Sequence, residues 1–141
     1  MPVKFTRRAN HMSETPADVL ELAFETLDDF ERCKEAGTSI RTQYNRLYDA
    51  SFYAAKAALL AVGEEPRTHR GTANLVFQVL HQERSMIDRD TAATLSVIQT
   101  KRDLADYDVQ FTDTAADLEE IEQESRALIE VLEQIARSNH D

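Results

Sequence analysis

Cysteine occurs once in this chain, at Cys33, so an intrachain disulfide is excluded and a reducing compartment fits. Histidine is nearly as scarce. Besides His11 there are only His69, His81 and His140; none shares a helical turn with another, and no Glu-x-x-His pair exists. A side-chain metal site needs several such ligands at close spacing, so no metal is expected. Three glycines and three prolines leave few turns and imply few, long elements. No glycine-rich loop is available to cradle phosphates, which removes the usual nucleotide-hydrolase chemistries, and no cofactor is expected. Nothing in the spacing fixes a base beside a serine or cysteine nucleophile. Long apolar runs are missing as well. "FYAAKAALLAV", the longest, contains Lys56 and falls short of the ~20 residues that span a bilayer. With no signal peptide legible, the expectation is a soluble cytoplasmic protein without membrane contact.

Positive charge is also in short supply. Lysine and arginine total 16 against 26 acids, for a net charge of −10. The first eleven residues, "MPVKFTRRANH", differ from the rest: they hold Lys4, Arg7 and Arg8, no acid and no amphipathic period. They read as a vector-derived or disordered leader (1–11), leaving 12–141 as a single domain. Setting the leader aside takes the net charge from −10 to −13. Arginine far outnumbers lysine and threonine is plentiful, a pattern that suggests a salt-adapted, halophilic source. Acidity ordinarily argues against binding a phosphate backbone. In a salt-adapted chain the whole surface is acidic whatever the partner, so the sign of the charge decides little.

What the chain does have is helical period, with no strand-like alternation to compete. Thr15, Pro16 and Asp18 make a start signal, Val19, Leu20, Ala23, Leu27 and Phe30 follow on one face, and Gly37 closes the first helix. A second helix begins near Ser39 and ends at Gly63. Its stripe is Tyr44, Leu47, Tyr48, Ser51, Ala55, Ala58, Leu59 and Val62, with alanines that would let another helix approach closely. After the turn "GEEPRTH", the stretch "GTANLVFQVLHQ" predicts a short third helix. A fourth runs from about Thr91 to Tyr107, and Thr112 or Asp113 caps a fifth carrying Leu118, Ile121, Ser125, Leu128, Leu132 and Ile135. Short connections make these five an all-α up-and-down bundle.

One position breaks the pattern. Leu95, Ile98, Arg102, Ala105 and Val109 share a stripe, so a guanidinium stands in line with core positions. Asp106 lies one turn on, in the weaker arginine-first orientation, and Asp103 and Tyr107 form a second one-turn pair. Taken as residue types alone, these are an ion pair at a bundle end, His69 is a turn-stabilising histidine, and Tyr48 and Tyr53 are core and rim.

A resemblance alters that weighting. "NRLYDASFYAAKAALLAVGEEPRTHRGTANLVF" followed by "KRDLADYDVQF" resembles the HEPN domain, in its small stand-alone branch. It rests on the Arg-x-Tyr then Phe-x-Ala-Ala-Lys-Ala helix, the Pro-x-Thr-His-x-Gly turn leading to a Phe, and the late Arg-x-x-x-Asp-Tyr, in the family's order over roughly residues 15–136. The resemblance implies an all-α bundle that forms a homodimer and acts on nucleotides or RNA. It also implies a minimal nucleotidyltransferase as partner in a toxin–antitoxin-type pair. Some members are metal-independent ribonucleases that use an arginine followed by four to six residues and then a histidine. Here "DLAD" leads from Arg102 to Tyr107 instead. The tyrosine that some relatives carry in adenylylated form falls on Val109, and Tyr53 stands where relatives often have a histidine. The expected binding set is Arg102, Asp106, Tyr107, His69, Tyr53 and Arg46, with Arg102 meeting a phosphate, Asp106 holding its fork and Tyr107 stacking on a base. Ribonuclease activity is expected to be weak or absent unless His69 replaces the missing histidine beside Arg102. Two other readings are a histidine phosphotransfer-like module built on "THRGTANLV" and a helical scaffold without a ligand.

Overall fold

The computed structural model describes residues 14–138, so the expected leader (1–11) lies outside the described residues. Helix α1 spans Pro16–Ala36, with the Thr15 side chain accepting the Asp18 amide at its start. Gly37, in the left-handed region at φ 68°, stops it by turning its amide back onto the Cys33 and Lys34 carbonyls. Helix α2, Ile40–Ala61, is capped by Ser39 and packs against every other helix. It is buried almost all round. Ala50, Ala54, Ala55, Ala57 and Ala58 are fully enclosed, so the small residues admit α1 and the last helix within one protomer. Ser51 sits among them with its hydroxyl donating to the Leu47 carbonyl.

Helix α3, His69–Leu75, starts on a Thr68 cap and continues as a π-helical stretch, Val76–Glu83, where the sequence predicts a single short helix. The wider turn buries Val76, Val79 and Leu80. Helix α4 spans Arg89–Tyr107 behind an Asp88 cap, and α5 spans Ala115–Arg137.

Two expectations need correction. The cap of α5 is Thr114, in a capping box with Asp117, because Asp113 is engaged elsewhere: its carboxylate accepts from Tyr44 Oη at 2.7 Å and Lys101 Nζ at 2.8 Å. The α4 stripe also ends earlier than expected. Leu95, Ile98 and Ala105 are buried, but the helix stops at Tyr107 and Val109 is 87% exposed. The stop is built by Arg41 of α2, whose guanidinium donates to the Ala105 carbonyl and, at 2.9 Å, to that of Asp108 while lying over the Phe111 ring. A cation on the carbonyl end of a helix both satisfies its last acceptors and opposes its dipole.

The last helix is tied to the first by charge as well as by its apolar seam. Glu122, 9% exposed, accepts from Lys34 Nζ at 3.0 Å and Arg126 Nε at 2.7 Å, and Arg126 reaches on to Glu31 of α1. The five helices form one all-α bundle, with no strand among the described residues. No helix of the described residues is long and apolar enough to cross a membrane.

Candidate functional site

Tyr48 and Phe52 lie one turn apart on α2 and therefore share a face. That face is where α3 begins. Thr68 holds the first turn of α3, and the first residue of the helix, His69, stands over both rings. Its imidazole stacks on Phe52 with centroids 4.1 Å apart at 18°, and its Nδ1 is 2.8 Å from Tyr48 Oη. Tyr48 itself is fully buried while His69 is exposed, so the pair runs from the core to the surface.

Arg102 arrives from α4 on the flat side of the same tyrosine. Its guanidinium carbon lies 4.9 Å from the Tyr48 ring centroid, one turn beyond Ile98. Its ion pairs are loose. Nη1 is 3.2 Å from Asp103 and 3.6 Å from Asp106, both on its own helix. Nε is buried and has no hydrogen-bond partner among the described residues. A cation–π contact of this kind contributes about 0.5–2 kcal/mol, and partly exposed ion pairs contribute up to about 1 kcal/mol. The orphaned Nε–H costs about 1–3 kcal/mol. These contributions nearly cancel, so fold stability does not select an arginine here.

The Tyr48 phenol is pushed up to about 12, by burial first, with Asp49 and Asp103 adding to the effect and the Arg102 guanidinium opposing it. It therefore keeps its proton at neutral pH. The arrangement can offer an anion a guanidinium and an imidazole held by one shared aromatic residue. It has no metal-ligating character: no group of three or more His, Cys, Asp or Glu side chains able to hold an ion occurs among the described residues.

Of the six residues expected from sequence, two contact Tyr48, Arg102 and His69, and a third, Asp106, is tied to Arg102. Tyr107 is not among them. Five residues on from Arg102 is about 140° round an α-helix. The Tyr107 residue is 79% exposed and lines a cleft of about 350 Å³ with Thr100, Asp103, Leu104 and Asp108. That cleft adjoins the Arg102 site through Asp103, which also pairs with Arg102. Arg46 is engaged by its neighbours Asn45 and Asp49, the latter at 2.5 Å. Tyr53 packs edge-on against Phe52 at 5.5 Å and toward the Val19, Leu20 and Ala57 patch, on the α1 side.

Sequence reasoning missed the two aromatic residues that organise the site. Tyr48 reads as core and is core, and Phe52 enters only as part of the Phe-x-Ala-Ala-Lys-Ala helix; the available signal was an aromatic pair at i, i+4 on the most buried helix, which is also the commonest signature of simple packing.

A family model for the HEPN domain matches residues 17–135, which takes in α1 through nearly all of α5 and the whole Tyr48 cluster. The chain belongs to the HEPN domain family. This HEPN bundle is thereby a nucleotide- and RNA-related helical domain. No curated protein matches the sequence. Where the resemblance expects a histidine on the arginine's own helix, this HEPN chain has Tyr107, and the imidazole that shares Tyr48 with Arg102 comes instead from α3.

Proposed function

We propose that this HEPN protein binds the phosphate of a nucleotide or RNA through Arg102, with Asp106 steadying the guanidinium and His69 beside it. The observation that carries the reading is the guanidinium itself: partly buried in an apolar stripe, loosely paired, and with Nε unpartnered. A planar fork with unused donors suits a phosphate or carboxylate better than lysine would. The resemblance extends the proposal to a homodimer that works beside a minimal nucleotidyltransferase in a toxin–antitoxin-type pair. The acidic composition extends it to the cytoplasm of a salt-adapted cell.

The test is titration of the folded chain with AMP and with short RNA, for wild type, Arg102→Lys and Arg102→Leu. Both variants are expected to lose binding by tenfold or more, on the order of the 1.4 kcal/mol that one charged contact carries. The lysine variant is the more informative because it keeps charge and loses the fork. Unchanged binding by a folded Arg102→Leu protein would remove the residue from the site.

A second reading, metal-independent RNA cleavage, is favoured by one observation: His69 and Arg102 meet on the same tyrosine. Cleavage that survives chelator and disappears in His69→Ala would establish it.

A further inference from the structure

A phenol that is fully enclosed must place its proton on an acceptor, since an orphaned donor in the core is costly. The only hydrogen bond of Tyr48 Oη among the described residues is the one to His69 Nδ1. Two arrangements are open to that bond. If Nδ1 carried a proton and donated it to the phenol oxygen, the phenol's own hydrogen would have nowhere to go. The phenol O–H therefore donates, and Nδ1 accepts with its lone pair. Turning the imidazole over would replace Nδ1 with a carbon and lose the acceptor, while the stack on Phe52 at 4.1 Å and 18° holds the ring plane. The neutral ring then bears its hydrogen on Nε2, away from the buried phenol and on the side of an exposed residue.

We propose that Tyr48 acts as a positioning residue that fixes His69 in the Nε2–H tautomer, so that His69 serves the Arg102 site as a neutral hydrogen-bond donor to a phosphate monoester. This rests on the reading of Arg102 as a phosphate-binding group and deepens it. Tyr48 serves both partners at once: its ring face carries the guanidinium and its hydroxyl orders the imidazole. A general base needs a free lone pair on the exposed nitrogen, and this tautomer has none there. The assignment separates a binding site from a ribonuclease site built from the same two residues.

Two measurements on the full chain test it. Long-range nitrogen–proton NMR at about pH 8, where imidazole is neutral, reads the His69 tautomer directly. The expected result is a bare Nδ1 and a protonated Nε2, with Tyr48→Phe mixing the two forms. Calorimetric titration then uses AMP and a 5′-phosphorylated RNA oligomer as separate probes, with adenosine as the control lacking phosphate. Glutamine places an amide N–H near the Nε2 position, so His69→Gln is expected to stay within about threefold of wild type. His69→Ala should lose roughly tenfold, the worth of one such bond. His69→Gln keeps Tyr48 intact, so the result does not depend on how well Tyr48→Phe folds. A proton on Nδ1 in the wild type, or glutamine binding no better than alanine, overturns the inference and leaves Arg102 untouched. Failure of wild type to bind AMP or the phosphorylated oligomer overturns the Arg102 reading, and the donor role falls with it, whatever the tautomer.

Discussion

At Arg102 two effects oppose each other. The guanidinium gains from the Tyr48 face and from Asp103 and Asp106, and it loses through a buried Nε–H that no acceptor meets. Partly exposed ion pairs contribute little, and an apolar side chain in their place would remove the orphaned Nε–H. Arg102→Leu is therefore expected to melt at or above the wild-type temperature while losing the phosphate probes. Thermal melting beside the titration checks both halves. A fall of about 3 kcal/mol or more in stability would instead mark Arg102 as structural, because that is the cost of breaking a pair on which the fold depends.

At the scale of elements, the α1–α5 contact is where charge matters for folding. Burial acts to raise the Glu122 carboxyl, yet hydrogen bonds from Arg126 and Lys34 outweigh it and hold the group below the ordinary carboxylate range. Lys34 is correspondingly raised, chiefly by its bond to Glu122. For an acid whose folded value is depressed, the stabilisation is present above its unfolded value near 4.3 and is lost as pH falls through the folded one. Glu122→Gln should cost roughly 1–2 kcal/mol at pH 7 and low salt, modest because Lys34 and Arg126 are more than a third exposed. The cost should shrink below about pH 4. Denaturant titrations at pH 7 and 3.5 read the difference; an equal loss at both would show that packing, not charge, is at stake. The start of α5 offers a second check at this scale. Thr114→Ala removes the capping box with Asp117 and should cost about 1 kcal/mol, whereas Thr112→Ala should cost nothing measurable. Comparable losses from both would return the cap to the earlier position.

For the whole molecule, the alanines of α2 are spent inside the protomer, so they cannot also form a contact between copies. Among the described residues, exposed large apolar side chains cluster on α4, where Val97, Leu104 and Tyr107 share a face at helical spacing. We propose this face for the homodimer contact. A light-scattering mass of two chains at micromolar concentration in high salt is the expected result, and Leu104→Asp should reduce it to one. A single-chain mass for the wild type would end the dimer proposal.

Fold class was legible because burying an amphipathic stripe has few solutions. The seam of α5 and the Thr15–Pro16 and Gly37 boundaries are local matters, settled by side-chain period and by which backbone angles each residue tolerates. Arg102 was conspicuous for a related reason: a charge breaking an apolar period shows in one dimension. What surrounds it does not. That His69 reaches Tyr48 from 21 residues away, and that Arg102 meets the same ring from another helix, depends on how α3 and α4 pack on α2. Tyr107 shows the converse, since adjacency in a motif put it beside Arg102 while helical rotation turns it about 140° away, onto an exposed surface. Period and cap chemistry are properties of neighbours along the chain, so the sequence by itself determined the helices, though not the π-helical stretch or the α5 cap, and the position that does not belong among them. The partners of that position are set by contacts between helices distant in sequence, and only the tertiary structure decided those.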